Sequence, residues 1–177
     1  MGADRLSRAF ALGVLLLGGC AAEDTLVAES GETGRVARIA DGDTLRLTDG
    51  RRVRLVQIDA PEPGSECWGI EAMEALSALA PPGSDVELAR DPALDDRDRF
   101  GRLLRYVSVD GRNVNITLVE RGAAAPYFFR GDRGRHADEL LDAAEAAEAA
   151  DQGLWGACPT ARLDPGRMLV AGRVGRT

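Results

Sequence analysis

Thr44-Leu45-Arg46-Leu47-Thr48-Asp49-Gly50-Arg51-Arg52-Val53-Arg54-Leu55-Val56-Gln57-Ile58 is the stretch that decides how this chain folds. Its apolar and β-branched residues form two runs, 44–48 and 51–58, that meet at Asp49-Gly50. That dipeptide accepts the positive φ angles of a tight hairpin turn. A second such pair, Asp41-Gly42, separates 44–48 from another β run at 35–40. Three strands joined by two short turns read as an antiparallel meander.

Working outward, Ile70, Met73, Leu76 and Leu79 recur at helical spacing over 69–80, and Pro81-Pro82-Gly83 ends that helix. Strands are predicted at 85–90 and 103–109, separated by the charged loop 91–102. A second helix spans 114–121 and stops at Gly122. A third, alanine-rich helix spans 136–151 with Asp138, Glu139, Asp142, Glu145 and Glu148 on a solvated face. Gly153-Leu154-Trp155-Gly156 ends it and supplies Trp155 as an apolar anchor. Five strands and three helices in this order predict an α+β domain over 34–158, a five-stranded OB-fold β-barrel capped by three helices. A fold of this kind leaves function open.

The chain opens with Arg5 and Arg8, an apolar run from Ala9 to Leu17, and Gly18-Gly19-Cys20. The run is shorter than the roughly 20 residues a membrane span needs and reads as an export signal over 1–19. Leu17-Gly18-Gly19-Cys20 resembles a bacterial lipobox, which would make Cys20 a lipid attachment site and anchor an extracytoplasmic protein to the membrane. A cleaved signal on a secreted protein is the alternative. Residues 20–33 are small, polar and acidic and read as a flexible linker. The tail 159–177 reads as disordered, and a monomer is expected.

All 22 basic residues are arginine, which excludes Schiff-base chemistry and a P-loop lysine. The net charge of -7 excludes a general nucleic-acid coat, so a polyanion must be captured by a local patch of arginine and metal. With Cys20 lipidated, Cys67 and Cys158 remain as a pair in a compartment where disulfides persist. A bridge between them would stabilise by roughly 4 kcal/mol in the chain-entropy model; two unpaired thiols are the alternative.

Strand alternation over 51–58 puts Arg54 on the face of Val56 and Ile58. A guanidinium there is costly unless it is paired or meets an anionic ligand. Asp43, Asp59 and Glu62 can pair it, so a structural ion pair and an anion site both stand. Two carboxylates, Asp43 and Asp59, with a backbone carbonyl and waters suit Ca²⁺. Arg54 and Arg102 can grip phosphate oxygens and stabilise charge built up in a transition state. With no lysine and His136 the only histidine, the general base falls to a carboxylate, and Glu62 is free for it if Asp59 binds metal. The combination suits phosphodiester hydrolysis.

The ordered set Asp41-Gly42-Asp43-Thr44, Arg54-Leu55, Asp59-Ala60-Pro61-Glu62 and Asp98-Arg99-Phe100-Gly101-Arg102 resembles the staphylococcal nuclease (thermonuclease) family. The likeness continues through Val109-Asp110-Gly111-Arg112-Asn113-Val114-Asn115 and Leu118-Val119-Glu120-Arg121-Gly122 to Gly153-Leu154-Trp155. It implies Ca²⁺-dependent hydrolysis of DNA and RNA to 3′-phosphate ends, with calcium on Asp43, Asp59 and the carbonyl of Ala60. It further implies that Glu62 activates the attacking water, Arg54 and Arg102 hold the phosphate, Arg99 approaches a neighbouring phosphate and Tyr127 stacks on a base. Arg99 stands where the family usually has lysine, and Phe100 where the type enzyme has tyrosine. A catalytically silent lipoprotein that uses the barrel to hold nucleic acid or a protein is the competing reading.

Overall fold

The computed structural model describes residues 31–169 together with 171 and 172. The expected signal peptide, Cys20 and residues 20–30 of the 20–33 linker lie outside the described residues. The meander is present: β1 (Glu32–Ile39) pairs antiparallel with β2 (Thr44–Leu47), and β2 with β3 (Arg52–Leu55). Gly50, in the turn between β2 and β3, has φ 91°, the conformation that glycine adopts without a side-chain clash.

A dipeptide strand, β4 (Ile58–Asp59), follows β3, and β5 (Asp85–Ala89) pairs antiparallel with the free side of β1. Next comes β6 (Leu103–Val109), antiparallel to β5 and parallel to β3, with Val53 opposite Leu103 and Arg54 opposite Leu104. That last pairing closes a five-stranded barrel of β1, β2, β3, β5 and β6. Two more dipeptide strands complete the sheets: β7 (Arg112–Asn113) on β6, and β8 (Ala125–Pro126) on β4. Alternation in β5 sends Val86 and Leu88 inward to join Leu45, Val53, Leu55, Leu103 and Val107 in the core. Each such side chain contributes about 1.5–3 kcal/mol by leaving water.

Three helices cover the barrel, α1 (Gly69–Leu79), α2 (Val114–Glu120) and α3 (Ala137–Ala149), and α4 (Leu154–Ala157) adds a single turn. Asn113 caps α2 by accepting from the Ile116 N–H. Asn115, fully buried, accepts from Val107 N–H and donates to the Val56 carbonyl, fastening the end of β3 to β6. The acids of α3 face solvent as expected.

Four details depart from the sequence reading. First, α1 buries Ala72 and Leu76, while Ile70 is 51% exposed. The backbone at Gly42 comes so near that a β-carbon there would lie 2.8 Å from that of Ala72, and only small residues permit this contact. Second, β3 ends at Leu55, and Gln57 turns the chain with φ 62°. Alternation therefore does not reach Ile58, and Arg54 lies on the face opposite Val53 and Leu55. Third, β1 starts at Glu32, held by ion pairs to Arg51 and Arg105, so the linker ends earlier than 33. Fourth, the tail is not free through its described part. Ala161, Leu169 and Ala171 are buried against Leu154 and Trp155, because apolar residues recur in an otherwise polar segment. Cys67 and Cys158, 91 residues apart, form a disulfide that ties the loop before α1 to the end of α4.

Candidate active site

β3 and β4 deliver the two central residues, Arg54 and Asp59, on either side of the Val56-Gln57 turn. Arg54 is nearly enclosed. Its Nη1 donates to the carbonyls of Leu55 (2.7 Å) and Ile58 (2.6 Å), and its Nη2 to Asp59 Oδ1 (2.7 Å). Its Nε lies 2.9 Å from Asp43 Oδ1. A single guanidinium thus bridges both carboxylates expected to bind metal, and the structural ion pair exists as drawn from sequence. Of the five N–H donors of arginine, few remain for a ligand, so a bidentate grip on phosphate requires Arg54 to exchange a partner.

Asp43 follows the first hairpin turn and is buried; its Oδ2 accepts from the Ala60 N–H at 2.9 Å. Burial pushes its carboxyl up to about 7, against the opposing pull of Arg54. Asp59 is also raised, chiefly by burial, with Arg54 and the Leu169 N–H pulling the other way. The neighbouring Asp41 and Glu66 add further negative charge to this corner. The donors are oxygen throughout, the set suited to a hard divalent cation. Among the described residues no three His, Cys, Asp or Glu side chains converge tightly enough to chelate an ion by themselves. The set fits a cation held by Asp43, Asp59 and the Ala60 carbonyl, with solvent completing the shell.

Arg102 comes from the loop before β6, and the parallel β3–β6 register brings it beside the start of β3. It is freer than Arg54. Its Nε donates to Asp98 Oδ2 (2.6 Å) and its Nη1 to Thr44 Oγ1 (3.1 Å), which leaves three N–H groups unspent. Burial tends to raise the Asp98 carboxyl, but hydrogen bonds from Arg102 outweigh it and hold the pKa below the ordinary value.

Arg54, Asp59, Arg102, Arg99 and Tyr127 line one cleft of about 630 Å³, and Asp43 and Glu62 lie outside its lining. Five arginines and four aspartates line it, a local basic surplus in an acidic protein. Phe100 and Phe129 stand at its walls, each more than half exposed, under the guanidinium groups of Arg99 and Arg130. Glu62 is exposed on the loop after Pro61, and its N–H donates to Glu66 Oε2 (2.8 Å). Partial burial and the charges of Asp41, Glu66 and Asp59 raise its pKa, which suits a proton acceptor. α1 holds this loop from below: a β-carbon at Gly69 would lie 2.2 Å from the Glu62 carbonyl oxygen.

Several contributors carried no role in the sequence reading. Asp98 and Thr44 orient Arg102, and their place in the quoted motifs was the available signal. Gln57 hooks the cleft's far wall: its Oε1 accepts from Gly134 N–H (2.9 Å) and its Nε2 donates to the Asp132 carbonyl (2.8 Å). Leu169, in the tail, donates its N–H to Asp59 Oδ2 at 2.8 Å.

Residues 52–157 match the family model described as staphylococcal nuclease homologue. The matched segment includes Arg54, Asp59, Glu62 and Arg102; Asp43 precedes it and reaches the site through the meander. Over 100 residues the chain is 42% identical to an uncharacterized endonuclease of Escherichia coli O157:H7, covering 53% of this chain and 60% of that one. An uncharacterized endonuclease of Haemophilus influenzae is 39% identical over 127 residues, 70% of this chain and 66% of its own length. Endonuclease YhcR of Bacillus subtilis is 31% identical over 144 residues, 72% of this chain and 12% of its own length. The chain thus spans less than two thirds of each of these three relatives.

Proposed function

The chain belongs to the staphylococcal nuclease homologue family, and on that premise we propose that it is an exported, lipid-anchored nuclease that uses Ca²⁺ to hydrolyse phosphodiester bonds of DNA or RNA. The observation that carries this reading is the meeting of Arg54, Asp59 and Arg102 in one cleft, with Arg54 paired to both Asp59 and Asp43. The relatives named as endonucleases support the reaction class.

Asp43, Asp59 and the Ala60 carbonyl would hold the cation, which would supply Lewis-acid charge neutralisation and a lowered water pKa when bound. Arg102 donates its unspent N–H groups to a non-bridging oxygen. Arg54 adds donors as the phosphate competes with its carboxylates. Glu62 takes a proton from water as the oxygen attacks phosphorus. The bond to the 5′ oxygen breaks with its electron pair going to that oxygen, which takes a proton from solvent and leaves as a hydroxyl, and the phosphate stays on the 3′ end. Arg99 meets an adjacent phosphate and Tyr127 stacks on a base.

Purified protein incubated with plasmid DNA, denatured DNA and RNA should cleave in Ca²⁺ and stop in chelator, leaving ends that polymerase extends only after phosphatase treatment. Gel-shift binding with no cleavage in any divalent ion would instead establish the silent binding module. Cys20→Ala should abolish palmitate labelling and membrane fractionation; unchanged labelling would refute the anchor.

A further inference from the structure

Beyond the family-matched residues 52–157, the described tail crosses the molecule and is fastened at several points. The Pro165 carbonyl accepts from Phe128 N–H (2.7 Å) and the Gly172 carbonyl from Cys67 N–H (2.8 Å). Ala161, Leu169 and Ala171 are buried beside Trp155. Between the fastenings, Met168 lines the cleft with Arg54, Asp59 and Tyr127, and the Leu169 N–H reaches Asp59 Oδ2.

We propose that the tail is a strap whose Leu169 main-chain N–H positions Asp59 for cation binding, an inference that rests on the nuclease reading above. Arg54 holds one oxygen of the carboxylate and Leu169 the other, so rotation about the Cβ–Cγ bond is blocked from both sides. Remaining lone pairs on each oxygen stay available to a cation. A hydrogen bond from outside the ligand shell that fixes a ligating carboxylate is worth about 10–100-fold in metal affinity. The strap also explains why the exposed Met168 is held at the cleft: it is the residue before the donor, and its position follows from the bond.

The test uses the full chain and Ca²⁺ alone, with affinity read by titration calorimetry and the melting temperature recorded for every variant. Leu169→Pro removes the N–H; Leu169→Ala keeps it and trims the side chain. Ala171→Asp expels the strap from its apolar seat without touching residue 169. Leu169→Pro and Ala171→Asp are expected to weaken Ca²⁺ binding about 10–100-fold, to move the Ca²⁺ dependence of cleavage by the same factor, and to spare cleavage at saturating Ca²⁺. Leu169→Ala is expected to bind as the parent does. Wild-type affinity in both disruptive variants would overturn the proposal, as would tighter binding, which would make the strap a brake. If the parent neither binds Ca²⁺ nor cleaves, the nuclease reading itself fails, a result distinct from either.

Discussion

Arg54→Ala should unfold the protein more readily as well as silence it. The side chain is 12% exposed and lies between two carboxylates that are each 8% exposed. Removing it strands two buried negative charges and leaves the Leu55 and Ile58 carbonyls without their donor. Breaking a buried pair from one side costs about 3–5 kcal/mol, which for a domain of this size lowers the melting temperature on the order of 10 °C. Arg102→Ala provides the contrast. Its pair with Asp98 is 24% and 17% exposed and closer to the surface, so about 1 kcal/mol or less is at stake. Both variants should lose turnover by orders of magnitude. Thermal melts followed by circular dichroism in chelator separate them, and Ca²⁺ should raise the melting temperature of Arg54→Ala more than that of the parent, because a cation replaces the missing positive charge. Equal melting temperatures for the two variants, or a larger loss in Arg102→Ala, would refute the assignment of Arg54 as the keystone of the acidic corner.

Three further outcomes follow from the geometry. Gly69→Ala should cut activity by displacing the Glu62 loop, since its β-carbon would sit 2.2 Å from the Glu62 carbonyl oxygen; parent-like turnover would contradict the role of α1 as support. Serine at both Cys67 and Cys158 should cost roughly 4 kcal/mol by releasing a 91-residue loop in the unfolded chain, visible as a lower denaturant midpoint. Because the Asp98 carboxyl sits below its ordinary 3.8, its stabilisation is complete above that value and is lost as pH falls toward the lowered one. Asp98→Asn should therefore flatten the acid limb of a stability–pH curve, and an unchanged limb would count against the Arg102 pair.

Local chemistry was the readable part of this chain. Asp49-Gly50 announces a hairpin because few other dipeptides tolerate its turn, and the helix and strand periods of α2, β5 and β6 follow from which side chains must leave water. Gln57 gave no warning. A non-glycine residue at φ 62° ends the strand three residues early, and what compensates it, the hydrogen bonds to Gly134 and Asp132, comes from residues more than 70 positions away. The tail was unreadable for a similar reason: Ala161, Leu169 and Ala171 are too sparse to show a period, and their burial depends on Trp155 already being in place. At the site, Arg54 was nameable because a charge on an apolar strand face demands a partner, and Asp43, Asp59 and Arg102 because they fall in short motifs whose order resembles one family. The asymmetry between a spent Arg54 and an open Arg102 was not, since it depends on which carbonyls and carboxylates each guanidinium finds.

The parallel seam between β3 and β6 joins residues about fifty positions apart, a contact that a folding chain makes late because its loop must close first. Arg54 sits on one side of that seam and Arg102 enters at its start. Before the seam forms, the two guanidinium groups belong to separate loops and no phosphate can meet both. On the nuclease reading proposed above, catalytic competence therefore has a clock: an unfolded chain is harmless to the nucleic acid around it, and it can cleave only once the barrel has shut.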